Sequence, residues 1–368
     1  MTSPTPTPSI LEITPYVPGK HAPASARTSA GAPTPLPLKL SANESALGPS
    51  PKAIAALEAQ AARAHRYPDG DATELRAALA ERYQVPANQL VCGAGSDELI
   101  ALTCQAYLAP GDEVLYPEHG FLMYKISALA AGGTVKTAPE RGLRTDVAAL
   151  LAAVSDKTKI VFLANPNNPT GSYITRRELA DLHAGLPPHV LLVVDGAYRE
   201  YVAQPDYSSG IELVSAPAQN VLVTGTLSKI FGLGGLRVGW AYGAPPLIDI
   251  LNRVRGPFNV NALALAAATA AVQDRAFEAR VRQLNNDQIG PLTQGLQDLG
   301  LSVYPSVGNF LLIDFGEEAR RLRIDAALQA QGIFIRQVAA YGLPTCLRMT
   351  IGTQGENARV LTALSALL

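Results

Sequence analysis

Apolar residues recur at helical spacing from Lys52 to His65, with Pro49 and Pro51 near the start, and this pattern predicts a helix. Tyr67-Pro68-Asp69-Gly70 reads as a turn, and Thr73 to Tyr83 as a second helix. The pattern then changes. Short unbroken apolar runs appear at Leu90 to Cys92, Glu113 to Tyr116, Ile160 to Leu163, Val190 to Val194, Val221 to Val223 and Trp240 to Tyr242. Runs without alternation, separated by helical stretches, predict a mostly parallel sheet buried on both faces. A long alanine-rich helix is expected after Asn261, with helical pattern continuing from Gln283. Strands are then expected at Leu301 to Tyr304, Phe310 to Asp314, Ile333 to Arg336 and Leu347 to Ile351, with a helix from Ala319 to Gln331.

These elements give an α/β class with two domains. A large domain is expected over 48–255 and a smaller α+β domain over 256–368. Residues 10–47 form an N-terminal arm joining the small domain, extended through the Pro/Ala/Ser-rich stretch Ala22 to Pro37. The Thr-Pro-rich residues 1–9 have nothing to bury and are expected to be a disordered tail.

Composition narrows the function classes. The 368 residues are 48% hydrophobic and 17% charged, with net charge -1, so a large core is available and no basic excess points to nucleic acid. The longest apolar run, Leu263 to Val272, is too short for a membrane span, and the N-terminus lacks the pattern of a secretory signal. Cys92, Cys104 and Cys346 are too few and scattered for a disulfide framework or a Cys-rich metal site. They are expected to be buried thiols in a reducing cytoplasm, and no metal is expected.

The candidate chemistry lies where strands end, because ligands of open parallel sheets sit at the carboxyl ends of strands. Gly95-Ser96-Asp97 opens a helix whose N–H groups and dipole favour a phosphate. The same stretch does not complete a G-x-G-x-x-G nucleotide fingerprint, since Glu98 holds the place of the third glycine. Asp195 ends a fully apolar strand, where a carboxylate is costly without a cation or hydrogen-bond donors. The glycine-rich stretch Thr226 to Arg237 holds Ser228, Lys229 and Arg237, a hydroxyl and a guanidinium suited to an anion beside an amine. Burial and nearby cations such as Arg237 are expected to lower the Lys229 pKa. In Asn165-Pro166-Asn167-Asn168-Pro169-Thr170-Gly171, two X-Pro bonds fix a rigid turn, either of which can be cis.

The Thr226 to Arg237 stretch resembles the lysine signature of fold-type I enzymes that use pyridoxal 5'-phosphate, the class I and II aminotransferases among them. The resemblance spans Ile13 to Leu367. Ile13 to Lys20 is similar to the N-terminal signature of the histidinol-phosphate aminotransferases. Leu40 to Ser50 is similar to their L-x-x-N-E-N-P-x-G-P-S pattern, with Ser45 and Ala46 replacing Asn-Pro. Asp195-Gly196-Ala197-Tyr198 matches the D-x-A-Y pattern, with Gly196 where many relatives carry Glu.

The resemblance implies roles for these residues. Lys229 would condense with the cofactor's aldehyde and shuttle the substrate proton. Asp195 would face the pyridine nitrogen, and Asn165 and Tyr198 the phenolic oxygen. Gly95, Ser96, Asp97, Thr226, Ser228 and Arg237 would hold the phosphate end. His119 would stack on the ring, with Phe121 and Tyr124 as alternatives. Tyr67 would reach the phosphate of a neighbouring subunit, making a homodimer with a shared active site. Tyr16, Asn43, Arg336 and Arg348 would bind substrate, the two arginines gripping a phosphate. The activity implied is transfer of the amino group of L-histidinol phosphate to 2-oxoglutarate, giving imidazole acetol phosphate and L-glutamate. Aromatic amino acid transamination and O-phosphothreonine decarboxylation are the alternatives. The Tyr16 to Lys20 signature argues against the second.

Overall fold

The computed structural model describes residues 4–20, 37–215 and 218–368. In chain order the first half runs β1 (Leu38–Leu40), α1 (Pro51–Ala61), α2 (Thr73–Tyr83), β2 (Leu90–Gly93), α3 (Ser96–Tyr107), β3 (Glu113–Pro117), α4 (Leu122–Ala130), β4 (Thr134–Ala138) and α5 (Val147–Ala152). It continues with β5 (Thr158–Ala164), α6 (Arg176–Gly185), β6 (Leu191–Asp195), α7 (Ile211–Ser215), β7 (Val221–Thr226), β8 (Gly239–Gly243) and α8 (Pro245–Val254). The last third is α9 (Ala262–Gln273), α10 (Arg275–Asp298), β9 (Ser302–Tyr304), β10 (Phe310–Asp314), α11 (Glu318–Ala330), β11 (Ile333–Gln337), β12 (Cys346–Thr350) and α12 (Gln354–Ser365).

The large sheet has the order β2-β8-β7-β6-β5-β3-β4, and β8 alone runs against its neighbours. Successive residues of the central strands serve different cores. Leu192 and Val194 of β6 join a cluster with α1, α2 and α9, whereas Leu191 and Val193 join one with α3, α4 and α8. Both faces are therefore buried, which is why these strands read as continuous apolar runs. Each fully buried Val or Leu contributes about 1.5–3 kcal/mol.

The small sheet has the order β1-β11-β12-β10-β9. β1 pairs in parallel with β11, so the arm does join this sheet. Leu38, Leu40, Ile333, Ile335, Leu347 and Met349 face its core. Alternation then puts Lys39, Phe334, Arg336 and Arg348 on the opposite face, toward the large sheet. Val307 N–H donates to Gly171 O at 3.0 Å and ties the two units together.

Several expectations need correction. The first helix ends at Ala61, not His65. The alanine-rich stretch is two helices, because Asp274 breaks the chain and caps α10 by accepting from Phe277 N–H. The boundary at 255 falls too early: Ala264, Ala267, Ala268 and Ala271 of α9 lie in the core of the large unit. The cores divide within α10, where Val281 joins the large unit and Leu292 and Leu296 the small one. A short 3₁₀ turn, Pro8–Glu12, begins inside the stretch expected to be a tail. Residues 1–3 of that tail and nearly all of the Ala22 to Pro37 arm lie outside the described residues.

Candidate active site

Strands β5, β6 and β7 are parallel, so their carboxyl ends deliver Ala164, Asp195 and Thr226 to one rim. The face of the small sheet bearing Arg348 closes over that rim. Between them lies a cavity of about 330 Å³, lined among others by Ser96, Phe121, Asn168, Asp195, Tyr198, Ser228, Lys229, Arg237 and Arg348.

One end is built for an anion. Gly95 caps α3 at φ +92°, a conformation that only glycine adopts readily, and Ser96 and Asp97 open the helix. Arg237, itself left-handed at φ +56°, donates to Ser228 Oγ at 3.3 Å and to Asp97 Oδ2 at 3.1 Å. A Cβ on Gly95 would stand 2.5 Å from Arg237 Nη2, so the missing side chain makes room for the guanidinium. Thr226 Oγ1 donates to Ser228 Oγ at 3.0 Å, fixing that hydroxyl in the cradle. The first turn of a helix, two hydroxyls and a guanidinium make an electropositive seat for a phosphate.

Asp195 stands at the other end. Its carboxylate accepts from Tyr124 O–H at 2.8 Å, Ala197 N–H at 3.2 Å and Thr224 O–H at 3.4 Å. Burial raises its pKa, and the Tyr124 hydrogen bond acts in the opposite sense. Tyr198 accepts from Asn43 Nδ2 at 2.9 Å, and burial pushes its phenol up to about 12. Asn43 is held in turn by Thr350, to whose hydroxyl its N–H donates at 2.9 Å.

Lys229 lies between these ends. Its Nζ donates to Ala42 O at 3.0 Å and sits 5.8 Å from the centre of the Tyr198 ring. Burial first, and then the positive charge of Arg348, lower its pKa to about 8. A fraction of the amine is therefore unprotonated and nucleophilic near neutral pH.

Arg348 is buried and donates to Asn168 Oδ1 and, at 3.0 Å, to Ser41 O. Its Nε is buried and has no hydrogen-bond partner among the described residues. A buried guanidinium lining a cavity invites an anion, because its charge is poorly solvated.

The expected residues are not all brought together. Asn165 does not line the cavity: its amide accepts from Ile174 N–H at 2.9 Å and donates to Ile174 O at 3.3 Å and Ser208 O at 3.1 Å. Asn168, in the same loop, faces the cavity in its place. Both prolines in that loop follow cis bonds. His119 also lies outside the cavity, with Nδ1 2.9 Å from Glu140 Oε2, a pairing that raises its pKa. Phe121 supplies the aromatic wall. Tyr67 is 84% exposed, away from this chain's own cavity, and stacks on Phe258 at 4.7 Å. Arg336 donates to Val17 O at 2.7 Å and lies 5.2 Å from the Tyr16 ring centre. It opens on a neighbouring cavity, and Tyr16 lines both. Gly95, Asn43 and Arg336 thus back the site without lining its cavity. Sequence reading missed Asn168 as the inward-facing amide and the hydrogen bond from Tyr124 to Asp195. It also missed the Lys39–Glu44 pair at the cavity mouth. The alternation in β1 was the available signal for Lys39.

The family described as aminotransferase class I and II matches residues 37–364. A histidinol-phosphate aminotransferase of Rhodospirillum centenum is 52% identical over 99% of this chain and 98% of its own length. One of Paramagnetospirillum magneticum is 52% identical over the same shares. Among solved structures, the histidinol-phosphate aminotransferase of Sinorhizobium meliloti in complex with pyridoxal-5'-phosphate has a TM-score of 0.85 at 29% identity, covering 90% of each chain. A cavity with an anion cradle, a buried carboxylate and a depressed lysine is thus set in a fold and a sequence shared along nearly their whole length, and the chain belongs to the class I and II aminotransferases, among the histidinol-phosphate aminotransferases.

Proposed function

We propose that the chain transfers the amino group of L-histidinol phosphate to 2-oxoglutarate, giving imidazole acetol phosphate and L-glutamate. Pyridoxal phosphate is the cofactor, and the residues present fit it. The Gly95 gap admits Arg237 to the phosphate seat, and a buried carboxylate and an amine of lowered pKa stand beyond it. When bound, the cofactor supplies an aldehyde and an electron-withdrawing ring that stabilises the charge left when the substrate Cα loses its proton.

The chain's own groups do the rest. Ser96, Ser228 and Arg237 bind the phosphate. Asp195, eased toward ionisation by Tyr124, Ala197 and Thr224, holds a proton on the ring nitrogen. Tyr198 and Asn168 serve the phenolic oxygen, a role expected of Asn165 and reassigned because its amide is consumed elsewhere. Phe121 covers a ring face. Lys229, largely neutral above pH 8, takes the proton from the substrate Cα.

The observation that carries this reading is Arg348, a buried guanidinium lining the same cavity as Lys229 and close enough to lower its pKa. It takes the donor's phosphate in one half of the reaction and a carboxylate of the acceptor in the other. Arg336 supports it from behind the extended residues 16–18, where it donates to Val17 O.

The working form is a homodimer in the cytoplasm. The exposed Tyr67–Phe258 stack supports the dimer, with Tyr67 entering the neighbouring site. Three free, buried cysteines suit the compartment. No helix among the described residues is long and apolar enough to cross a membrane.

The test is the release of L-glutamate from L-histidinol phosphate and 2-oxoglutarate. Dephosphorylated L-histidinol should react far more slowly. Absent turnover of histidinol phosphate alongside rapid turnover of phenylalanine, or carbon dioxide release from O-phosphothreonine, would overturn the substrate assignment.

A further inference from the structure

The cavity carries an ion pair that the roles above leave unused. Lys39 Nζ and Glu44 Oε1 lie 2.7 Å apart at its mouth, with side chains 37% and 50% exposed. Lys39 shares one face of the small sheet with Arg348: it pairs with Phe334, and Arg336 of the same strand pairs with Arg348.

A dicarboxylate such as 2-oxoglutarate brings two negative charges into a partly buried cleft, and each needs a cation. Among the described residues, the cations lining the cavity are Lys39, Lys229, Arg237 and Arg348. Lys229 is committed to the cofactor. Arg237 is held in the phosphate seat by Ser228 and Asp97. Arg348 takes one carboxylate. Arg336 is occupied by Val17 O and covered by Tyr16. Lys39 remains, and its present partner is a side chain rather than the backbone.

We propose that Lys39 receives the distal carboxylate of the dicarboxylate acceptor, exchanging Glu44 for the substrate. The proposal rests on the transaminase reading above. The exchange is cheap, because half-exposed ion pairs contribute only about 0–1 kcal/mol. It lets one site serve two unlike substrates: the ammonium is neutralised by Glu44 when no second carboxylate is present and is released when one arrives.

The test uses the full-length holoenzyme and the absorbance of its bound cofactor. L-Glutamate is compared with L-norvaline, which has the same chain length but no distal carboxylate, and with L-histidinol phosphate. Lys39→Met should weaken L-glutamate by about tenfold, the loss of one charge-assisted hydrogen bond. It should leave L-norvaline and L-histidinol phosphate within about twofold. Glu44→Gln, which removes the competitor, should tighten L-glutamate by about two- to fivefold. A merely structural pair would weaken all three ligands together in both variants. That result, or weaker L-glutamate binding in Glu44→Gln, would overturn the proposal. If L-histidinol phosphate gave no spectral change while L-glutamate behaved as stated, the donor assignment would fail and the role of Lys39 would stand.

Discussion

Replacing Gly95 with alanine separates two costs that the anion cradle combines. The first is conformational. At φ +92° and ψ 164° the residue occupies a region nearly closed to side chains, so Gly95→Ala should cost about 1–3 kcal/mol of stability. The second is functional. The new Cβ would lie 2.5 Å from Arg237 Nη2 and 3.3 Å from its Cζ. The Arg237 side chain is 47% exposed and can swing outward, so the overlap is relieved by withdrawing the guanidinium rather than by unfolding. Loss of a hydrogen bond from a charged donor removes about 1.5–3 kcal/mol, which weakens pyridoxal phosphate by roughly 10- to 150-fold. Titration of the apoenzyme, followed by absorbance, reads the second cost, and denaturant unfolding of the same apoenzyme reads the first. A double-mutant cycle with Arg237→Ala isolates the mechanism: once Arg237 is gone, Gly95→Ala should add little to the loss of affinity. Affinity within twofold of the parent for Gly95→Ala, or full additivity in the cycle, would refute the role given to the missing side chain.

Three further outcomes are expected. The apoenzyme should capture pyridoxal phosphate faster as pH rises, with a midpoint near 8, because burial and Arg348 lower the Lys229 pKa to about 8 from the ordinary 10.5; stopped-flow absorbance checks this, and a rate still climbing only near pH 10 would contradict it. His119 has its pKa raised by Glu140, so the pair's contribution to stability is fully present below pH 6.5 and is lost as pH rises through the raised value. The destabilisation caused by His119→Asn, measured as a shift in Tm, should therefore shrink with rising pH, and a pH-independent shift would exclude a charged pair. Asn165→Ala should lower stability by about 2 kcal/mol or more, through orphaned backbone groups at Ile174 and Ser208, with a normal cofactor spectrum. Asn168→Ala should do the reverse, changing the spectrum and lowering kcat/KM by about tenfold or more. An exchange of these two phenotypes would restore the role first expected of Asn165.

The sheet was the most legible part of the chain, for a physical reason. Strands buried on both faces cannot tolerate polar residues, so β5, β6 and β7 stand out, and so does Asp195 where β6 ends. The edge strand β4, Thr-Val-Lys-Thr-Ala, is mostly half-buried or exposed and leaves no such trace. The early domain boundary has a similar origin, since alanines can pack against either core and their spacing does not say which. The Asn165/Asn168 exchange arose because both asparagines precede proline in one short string. Only the path of the loop, which brings Asn165 back against Ile174, decides which amide turns inward. His119 and Phe121 lie two positions apart in a turn, and the sequence does not reveal the pull of Glu140, which comes from a distant segment. Lys39 escaped notice because a lysine in a short strand is ordinarily a solvated charge. Its meaning depends on the face it shares with Arg348.

In the proposed reaction everything depends on the Lys229 amine bonding the cofactor's aldehyde. Borohydride reduction of the holoenzyme, followed by peptide mass spectrometry, tests it directly. A phosphopyridoxyl mass is expected on the peptide containing Lys229, and it should disappear in Lys229→Ala. A stable adduct on another lysine, or none with cofactor in excess, would contradict it.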